Sequence, residues 1–386
     1  MKIQNYDKIS ICCVSIVSSK GSMGDNFCFI CNLLKKQYPE RMKIEINAIG
    51  ASIYKKQLTS IFGKNNLLLV SFNRRQPISF FNINDYIRIY IFLSRINPEI
   101  FFFYSAHPVN IFILFILFYL IGGRRKKVLY WWHDPIPHSG VSINLYKIIY
   151  KLHDLLMTRL AEKIIVSCDF LKSPLIVSSH KNLSRKIFKV ELGLLPNFCY
   201  DDIKNMKPEK VFDIIFWGRI DKYKGVEVLI DALFLLSNRR NVKAVIIGNG
   251  TIKNEYKEKV KCLEKLGILK LINFYVPDRE LATYIRRSQI AVLPYLDSTG
   301  TQTIQVAYYY NVPVICSKVG CFPEYTAYGK AALLIPPNNP INLADAIEML
   351  LIDNQKRKTL VENGQKLLEI KFCEKNILKR LMDIII

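Results

Sequence analysis

Short apolar runs alternate with longer amphipathic segments along nearly the whole chain. Each run has the length of a strand and is apolar at consecutive positions, which is typical of a parallel strand buried on both faces. The amphipathic segments between the runs are long enough to form connecting helices. The predicted strands are Ile9–Val17, Ile100–Tyr104, Val128–Trp132, Lys163–Ser167, Phe212–Phe216, Lys243–Ile247, Gln289–Pro294 and Val312–Ser317. The pattern therefore predicts an α/β fold made of β-α-β units.

The alternation is interrupted between Gly193 and Lys210, where proline and polar residues replace it, and a new series of strands starts at Phe212. Because 386 residues are many for a single core, we expect two doubly wound, Rossmann-like domains that face each other across a cleft. We place the first domain at residues 1–205 and the second at 206–368. A C-terminal helix at 369–386 is expected to pack back on the first domain.

The net charge of +23 is distributed unevenly. Residues 1–200 hold 27 Lys or Arg against 11 Asp or Glu, whereas residues 201–386 hold 28 against 21. This excess in the first half indicates an anionic partner such as a membrane surface or a nucleic acid. A lysine-rich composition without functional meaning is the alternative. We expect no nucleic-acid partner, because the sequence shows no aromatic-basic stacking platform and no groove-reading helix.

One apolar stretch is a candidate membrane segment. Residues 111–121 (IFILFILFYLI) are apolar throughout, and the basic residues Arg124–Lys127 follow them. Since a helix needs about 20 apolar residues to cross a bilayer, we predict a buried or interfacial helix whose basic end contacts anionic headgroups. The first residues do not form a signal peptide. We therefore expect a cytoplasmic protein, peripheral on the inner face of the cell membrane.

Ten cysteines are scattered along the chain without a repeating framework. Cys28 and Cys31 form a CxxC, but their neighbours are apolar and no second pair of Cys or His accompanies them. We interpret both as core residues on one helix. Many unpaired thiols fit a reducing cytoplasm.

Cations follow the first strand of the second domain, in the stretch FWGRIDKYKG. Gly218, Arg219 and Lys224 lie between this strand and a helix that starts near Gly225. Two cations at a strand end, beside a helix N-terminus, are typical of a diphosphate pocket. An ordinary basic turn is the alternative.

Small residues follow the later strands of this domain. Gly248 and Gly250 permit close approach of the backbone to a ligand, although a lone GxG also marks ordinary turns. Residues 298–303 form a loop at the start of a helix, where N–H groups and hydroxyls would face an anion. Residues 320–324 follow the strand that begins at Pro313.

Two strand ends in the first domain carry candidate residues. The stretch SSKGSMGDN contains Gly21 and Gly24 before a helix that we expect to begin near Asn26. These glycines either let the backbone approach a pyrophosphate or an acceptor hydroxyl, or they form a plain turn.

His133 and Asp134 end another strand, in LYWWHDPIPHSG. The adjacent carboxylate and the position at a strand end favour a catalytic role for this histidine over a core role. His107 and His138 are weaker candidates. The two prolines prevent a helical zinc motif across His133 and His138, and we expect no metal.

From Phe212 to about Leu351, the order and spacing of these motifs resemble the retaining glycosyltransferases of family 4, which have the GT-B fold. The resemblance implies a nucleotide-diphosphate sugar as donor, UDP- or GDP-linked, and no metal or other cofactor. It implies that Arg219 and Lys224 bind the diphosphate and that His133 contacts the sugar near its anomeric centre. The implied phosphate loop is Gly300, Thr301, Gln302 and Thr303, with Glu324 near the base or ribose.

The sequence departs from the family pattern at one pair of positions. Many members carry two glutamates with seven residues between them before the proline that starts the later strand, and here those positions are Ser298 and Val306. Asp297 or Gln305 would substitute for them in part. Some members with a TQ-type loop also lack the pair.

The combined features predict a hexosyltransferase-type glycosyltransferase, and the family resemblance implies that it acts with retention of anomeric configuration. We expect a glycan acceptor, lipid-linked at the cytoplasmic leaflet, and a role in surface polysaccharide or lipopolysaccharide biosynthesis. The alternatives are a nucleotide-sugar epimerase of the same fold and a catalytically degenerate scaffold at the membrane.

Overall fold

The computed structural model describes residues 8–17, 22–36, 43–72, 82–116, 120, 126–135, 145–173 and 183–386. The first sheet has seven parallel strands in the order β3-β2-β1-β4-β5-β6-β7. Its strands are β1 Lys8–Ser15, β2 Lys43–Ala51, β3 Leu67–Val70, β4 Ile100–Phe103, β5 Lys127–Trp131, β6 Lys163–Val166 and β7 Ile187–Lys189. The helices that accompany it are α1 Ser22–Lys36, α2 Lys55–Phe62, α3 Ile83–Ile96, α4 Val109–Phe115 and α5 Leu145–Leu160.

Helices cover both faces of this sheet, and successive strand residues point to opposite faces. In β1, Ile11 and Cys13 belong to the core cluster that contains Leu58 of α2. Their neighbours Cys12 and Val14 belong to the other cluster, which contains side chains of α3, α4 and α5. Burial on both faces is the physical reason why the strands are apolar at consecutive positions.

The second sheet has six parallel strands in the order β10-β9-β8-β11-β12-β13. Its strands are β8 Phe212–Trp217, β9 Ala244–Ile247, β10 Leu269–Ile272, β11 Ser288–Leu293, β12 Val314–Ser317 and β13 Leu333–Ile335. Its helices are α6 Asp201–Asn205, α7 Val226–Ser237, α8 Asn254–Lys265, α9 Asp278–Arg286, α10 Thr303–Tyr309, α11 Phe322–Tyr325 and α12 Pro340–Ile352. The predicted α/β architecture with two parallel sheets is confirmed.

Two more helices end the chain, α13 Asn354–Ile370 and α14 Glu374–Ile385. α13 lies against the second domain, where a Cβ on Gly364 would come within 2.5 Å of the Tyr308 ring. α14 buries Ile377 and Leu381 in the same core cluster as α1 and α2 of the first domain. The chain therefore crosses back between the domains at the break between these two helices.

All eight strands predicted from the apolar runs are present, with ends that differ by one or two residues. The prediction that the first helix begins near Asn26 was wrong, because α1 already begins at Ser22. Gly24 therefore lies inside the helix, and a Cβ at this position would come within 2.2 Å of the Tyr54 ring. The absence of a side chain at Gly24 lets α1 pack closely against the Tyr54 ring.

The cysteines have two different environments. Cys28 and Cys31 are free and buried in the first domain, which confirms their interpretation as core residues, and burial raises the pKa of Cys28 to about 12. Cys168 of the first domain is paired in a disulfide with Cys321 of the second, 153 residues away. The expectation of unpaired thiols therefore holds for eight cysteines and fails for this pair.

Among the described residues, no helix combines the length and the apolar character needed to cross a bilayer. α4 ends at Phe115, inside the apolar stretch that the sequence indicated.

Candidate functional site

The two domains touch where the carboxyl ends of their strands face each other. After β6, the Ser167 hydroxyl donates a hydrogen bond to the Thr299 carbonyl of the second domain at 2.6 Å. Close approach requires Gly300, since a Cβ there would lie 2.8 Å from Oγ of Ser167. In parallel α/β sheets this edge is where loops and helix N-termini converge on ligands. The contact therefore marks the floor of the candidate site.

His133 follows β5 at this edge and is enclosed by aromatic rings. Its imidazole stacks on Trp131 with ring centroids 5.5 Å apart and meets the Tyr104 ring edge-on at 4.7 Å. Burial lowers the pKa of His133 to about 4, against the opposing influence of Asp134 and of a hydrogen bond to the Tyr104 backbone. The ring is therefore neutral at pH 7.

The two ring nitrogens of His133 differ in their surroundings. Nε2 is buried, and no described residue offers it a hydrogen-bond partner. In a neutral imidazole one nitrogen donates and the other accepts, so Nε2 is available for a hydrogen bond with a ligand hydroxyl.

Asp134 reaches across the cleft. Its Oδ1 accepts a hydrogen bond from the Thr299 hydroxyl at 2.5 Å, so the two candidate loops of the different domains are directly joined. The Asp134 charge also acts on Tyr223, whose pKa is raised mainly by burial. This links the strand end of β5 to the basic turn after β8.

Lys224, in the basic turn after β8, lies against two tyrosine rings. Its ammonium lies 3.9 Å from the Tyr295 ring centroid and 5.0 Å from that of Tyr223. Burial acts to lower its pKa, but the interactions with Tyr295 and Tyr223 outweigh burial and raise the pKa above its usual value. Lys224 is therefore charged at neutral pH.

The small-residue loop 298–303 lies next to Tyr295. The Tyr295 hydroxyl lies 3.4 Å from the Thr303 hydroxyl, which lies 2.9 Å from that of Thr301. Through Tyr295, Lys224 and the hydroxyls of this loop form one neighbourhood, and Thr299 of the same loop contacts Asp134. Cations and hydroxyls together suit the oxygens of a phosphate.

Arg219 occupies a different environment from Lys224. Its side chain is 79% exposed, and Nε forms an ion pair with Asp221 at 3.0 Å. The guanidinium lies at the surface, where a long side chain is free to turn toward a ligand. The structure therefore places both predicted cations in the same turn, where Lys224 contacts Tyr295 next to the loop at Thr303 and Arg219 pairs with Asp221 at the surface.

The three glycines of the adjacent turns serve the packing of one backbone on another. A Cβ on Gly248 would lie 1.7 Å from the Gly218 carbonyl oxygen, and a Cβ on Gly250 would lie 2.2 Å from that of Ile220. Gly218 itself has φ of 122°. The structure therefore shows these glycines packing the loops after β8 and β9 against each other, whereas the sequence predicted an approach of Gly248 and Gly250 to a ligand.

Gln302 and Gln305 face the first domain rather than the cleft. Nε2 of Gln302 donates to the Gly193 carbonyl at 2.7 Å, and Nε2 of Gln305 donates to the Leu192 carbonyl at 2.9 Å. Gln305 is fully buried, so its amide does not stand in for a carboxylate in the cleft. The two positions that usually carry glutamates are also buried, at Ser298 and Val306.

Glu324 lies in a charged cluster between the domains. Its carboxylate accepts from the Asp169 backbone N–H at 2.7 Å and from the Lys189 ammonium at 2.7 Å. The nearby Glu191 is 2% exposed and pairs with Lys371 and with Arg380 of α14. The structure thus engages both Glu324 oxygens in contacts with the first domain.

The contacts of several of these residues carried no signal in the sequence, although Thr299 lies in the loop 298–303 that the sequence indicated. Ser167, Thr299 and Lys189 are ordinary polar residues whose partners lie more than 100 positions away. A local motif does not encode such contacts. Only its position at the end of a predicted strand pointed to Ser167.

The structure describes one of the other histidines that the sequence indicated in the first domain. His107 is buried, and its Nδ1 accepts from the Val109 backbone N–H at the start of α4. Gly21 and His138 lie outside the described residues. Within the described ranges, no three His, Cys, Asp or Glu side chains are grouped to hold a metal ion.

Residues 201–367 match the family model described as "Glycosyl transferases group 1", which covers the second domain. The D-inositol 3-phosphate glycosyltransferase of Corynebacterium glutamicum is 31% identical over 157 residues, which are 39% of this chain. The chain spans only 38% of the length of that relative.

Solved structures match over nearly the whole chain. HepE of Anabaena, in complex with UDP, has a TM-score of 0.71 at 15% identity and covers 98% of this chain and 99% of its own. WaaG, a glycosyltransferase involved in lipopolysaccharide biosynthesis, has a TM-score of 0.66 at 14% identity, covering 98% and 99% of the two chains. Both comparisons confirm the GT-B fold predicted from the sequence.

Proposed function

We propose that this protein is a glycosyltransferase that uses a nucleotide-diphosphate sugar and retains anomeric configuration. The observation that carries the proposal is the junction of the two domains. A neutral His133 of the first domain precedes Asp134, which accepts a hydrogen bond from Thr299 in the loop 298–303 of the second domain. The half-buried cation Lys224 contacts Tyr295, whose hydroxyl lies next to Thr303 of the same loop. The match of residues 201–367 to group 1 glycosyl transferases supports the same class.

The donor diphosphate is proposed to lie between Lys224 and the loop 300–303. Charge develops on the leaving phosphate in the transition state, and a fixed ammonium stabilises that charge more in an enclosed site than in water. Arg219 would turn from Asp221 to the outer oxygens and bind them with its two-pronged guanidinium. The relative HepE was solved with UDP-glucose, which supports a donor of this chemical kind.

His133 is proposed to position the sugar. With Nε2 available for a hydrogen bond in a buried, aromatic-lined position, it would bind a sugar hydroxyl beside the anomeric carbon. A neutral imidazole suits this task, because the cation would repel positive charge that develops on the sugar ring. The Trp131 and Tyr104 rings hold the imidazole in place.

The proposed chemistry proceeds on one face of the sugar. Neither Ser298 nor Val306 offers a carboxylate, and Gln305 is occupied at the domain interface. We therefore propose that the acceptor hydroxyl attacks from the side of the leaving phosphate and transfers its proton to a phosphate oxygen. The cations at 219 and 224 act in place of a metal, and we propose that no cofactor is needed.

The acceptor is proposed to be a glycan, lipid-linked at an anionic cytoplasmic leaflet, in surface polysaccharide or lipopolysaccharide biosynthesis. The charge excess of residues 1–200 supports a position against anionic lipid. WaaG, which is involved in lipopolysaccharide biosynthesis, has the same fold as this chain, and this similarity supports a pathway of the same type.

Calorimetric titration tests the donor site. We expect one of UDP, GDP, ADP and CMP to bind selectively, and expect Lys224→Ala and Arg219→Ala each to weaken that binding at least tenfold, about 1.4 kcal/mol. Lys222→Ala is the matched control, because Lys222 lies in the same turn with its side chain exposed. Equal affinity in all four proteins would refute the diphosphate assignment.

A catalytically inactive scaffold is the second candidate, favoured by the missing carboxylates at Ser298 and Val306. A protein that binds no nucleotide in the same titration, while it stays folded, would support the scaffold instead. A nucleotide-sugar epimerase would interconvert sugars without an acceptor, and chromatography of the reaction products identifies it.

A further inference from the structure

Helices α3 and α4 cover one face of the first sheet and bury their inner sides. Ile89 and Leu93 of α3, and Ile113 and Leu114 of α4, lie in the core cluster of that face. Their outer sides face away from the sheet. An ordinary surface helix carries polar residues there.

The outer sides of these two helices are instead apolar. Four exposed residues of α3 recur at spacings of one to four positions, which places them on one side of the helix, and two exposed phenylalanines lie on α4. We name this surface the α3–α4 face and define it by Ile83, Ile87, Tyr90, Ile91, Phe112 and Phe115. The Phe112 ring lies 5.4 Å from that of Tyr86 in α3, so the two helices present one continuous surface.

Apolar exposure of this kind is unfavourable in water when it is contiguous. In the second domain, exposed apolar side chains such as Leu266 and Ile352 lie on different elements. Single exposed apolar residues of that kind are normal. The α3–α4 face therefore indicates a surface that is covered by a partner.

Charge identifies the kind of partner. Between positions 73 and 127 the sequence holds eight Arg or Lys against two Asp or Glu. One of the two acidic residues, Asp85, is buried and paired with Arg88 at 2.7 Å, so it presents little negative charge. Arg95 and Lys127 are exposed at the ends of α3 and β5. Among the described residues, the exposed Arg88 and Arg95 lie on α3 itself, next to its apolar side chains, and this combination matches a bilayer with anionic headgroups.

The orientation of α3 relates this face to the cleft. α3 follows β3, so its first residues lie at the carboxyl edge of the sheet, the edge that also carries His133. Ile83, at that end, is 71% exposed. A membrane that covers the α3–α4 face would therefore reach the rim of the cleft.

We propose that the α3–α4 face docks on an anionic phospholipid bilayer, with both helices parallel to the membrane plane and their apolar side chains among the headgroups. This inference rests on the proposed function, because it supplies the route by which a lipid-linked acceptor reaches the cleft. It adds to that function the surface and the residues that make the contact.

Sedimentation with lipid vesicles tests the docking surface. We expect the full chain to bind vesicles of 70% phosphatidylcholine and 30% phosphatidylglycerol, and to bind pure phosphatidylcholine at least tenfold more weakly. The double variant Ile91→Ser with Phe115→Ser should lose at least tenfold in affinity for the anionic vesicles. The matched control is Leu266→Ser with Ile352→Ser, two residues of similar exposure in the second domain, and it should bind as the wild type does.

Two further measurements separate the outcomes. Unchanged melting temperature and unchanged nucleotide affinity in both double variants would show that the fold and the donor site are intact. Equal vesicle binding by the two double variants would overturn the docking surface, whatever the donor titration shows. A dimer in light scattering that the first double variant dissociates, without vesicle binding by the wild type, would identify a second copy as the partner and would also overturn the proposal.

Discussion

At the scale of residues, the site depends on side chains whose environment shifts their chemistry. His133 is neutral because aromatic neighbours exclude water from it, and Lys224 is charged because two tyrosines surround its ammonium. The types and the positions of both residues were predictable, since each follows a strand. Their protonation states follow from neighbours such as Tyr104 and Tyr295, which are distant in sequence.

The pKa of His133 makes stability depend on pH. Its value in the folded protein is about 4, against 6.5 as the ordinary value, so the unfolded chain takes up a proton first as the pH falls. Stability from this group is complete above pH 6.5 and is lost between about 6.5 and 4, up to about 3 kcal/mol.

Urea denaturation of the wild type and of His133→Asn at pH 7.5 and pH 4.5 measures this loss. We expect the wild type to lose more of its unfolding free energy on acidification than the variant, by about 2 to 3 kcal/mol. Identical losses in the two proteins would show that the imidazole is not neutral and buried.

At the scale of elements, the position of α10 could be predicted from the sequence, but its contacts with the first domain could not. Its start after a strand and a small-residue loop was predictable, as were the eight strands with long apolar runs. Five further strands, β2, β3, β7, β10 and β13, were not among these eight, and three of them, β3, β7 and β13, have only three or four residues. The hydrogen bonds that the Gln302 and Gln305 amides donate were not predictable, because the acceptors are backbone carbonyls of the first domain, more than 100 positions away.

The hydrogen bonds of these two amides attach α10 to the first domain, so we expect their loss to lower the free energy of unfolding. Gln305→Leu removes the donor to the Leu192 carbonyl, and a buried carbonyl without a partner costs about 1 to 3 kcal/mol. We expect urea denaturation to show that loss, together with faster cleavage by trypsin near residues 193–210. Gln355→Leu, at an exposed position of α13, serves as the control and should change neither quantity.

At the scale of the whole molecule, the domains are held together along one side of the cleft. The disulfide between Cys168 and Cys321 lies next to the charged cluster, since Asp169 and Glu324 are close neighbours of these cysteines in sequence. The chain also crosses this region on its way to α14, where Arg380 pairs with the buried Glu191. Opening of the cleft must therefore pivot on this side or break these contacts.

The disulfide predicts a thiol count that depends on oxidation. In denaturant without reductant, Ellman's reagent should find eight thiols in the oxidised protein and ten after reduction. Cys168→Ser should give nine in both states, because Cys321 is then free, whereas the control Cys262→Ser, at an exposed free cysteine, should give seven and nine. Ten thiols in protein exposed to air would show that the two domains are joined by packing and ion pairs alone. Since reduction would remove the covalent link between residues 168 and 321, trypsin should then cleave the reduced protein faster between the domains, while Glu324 and Lys189 still hold them in contact.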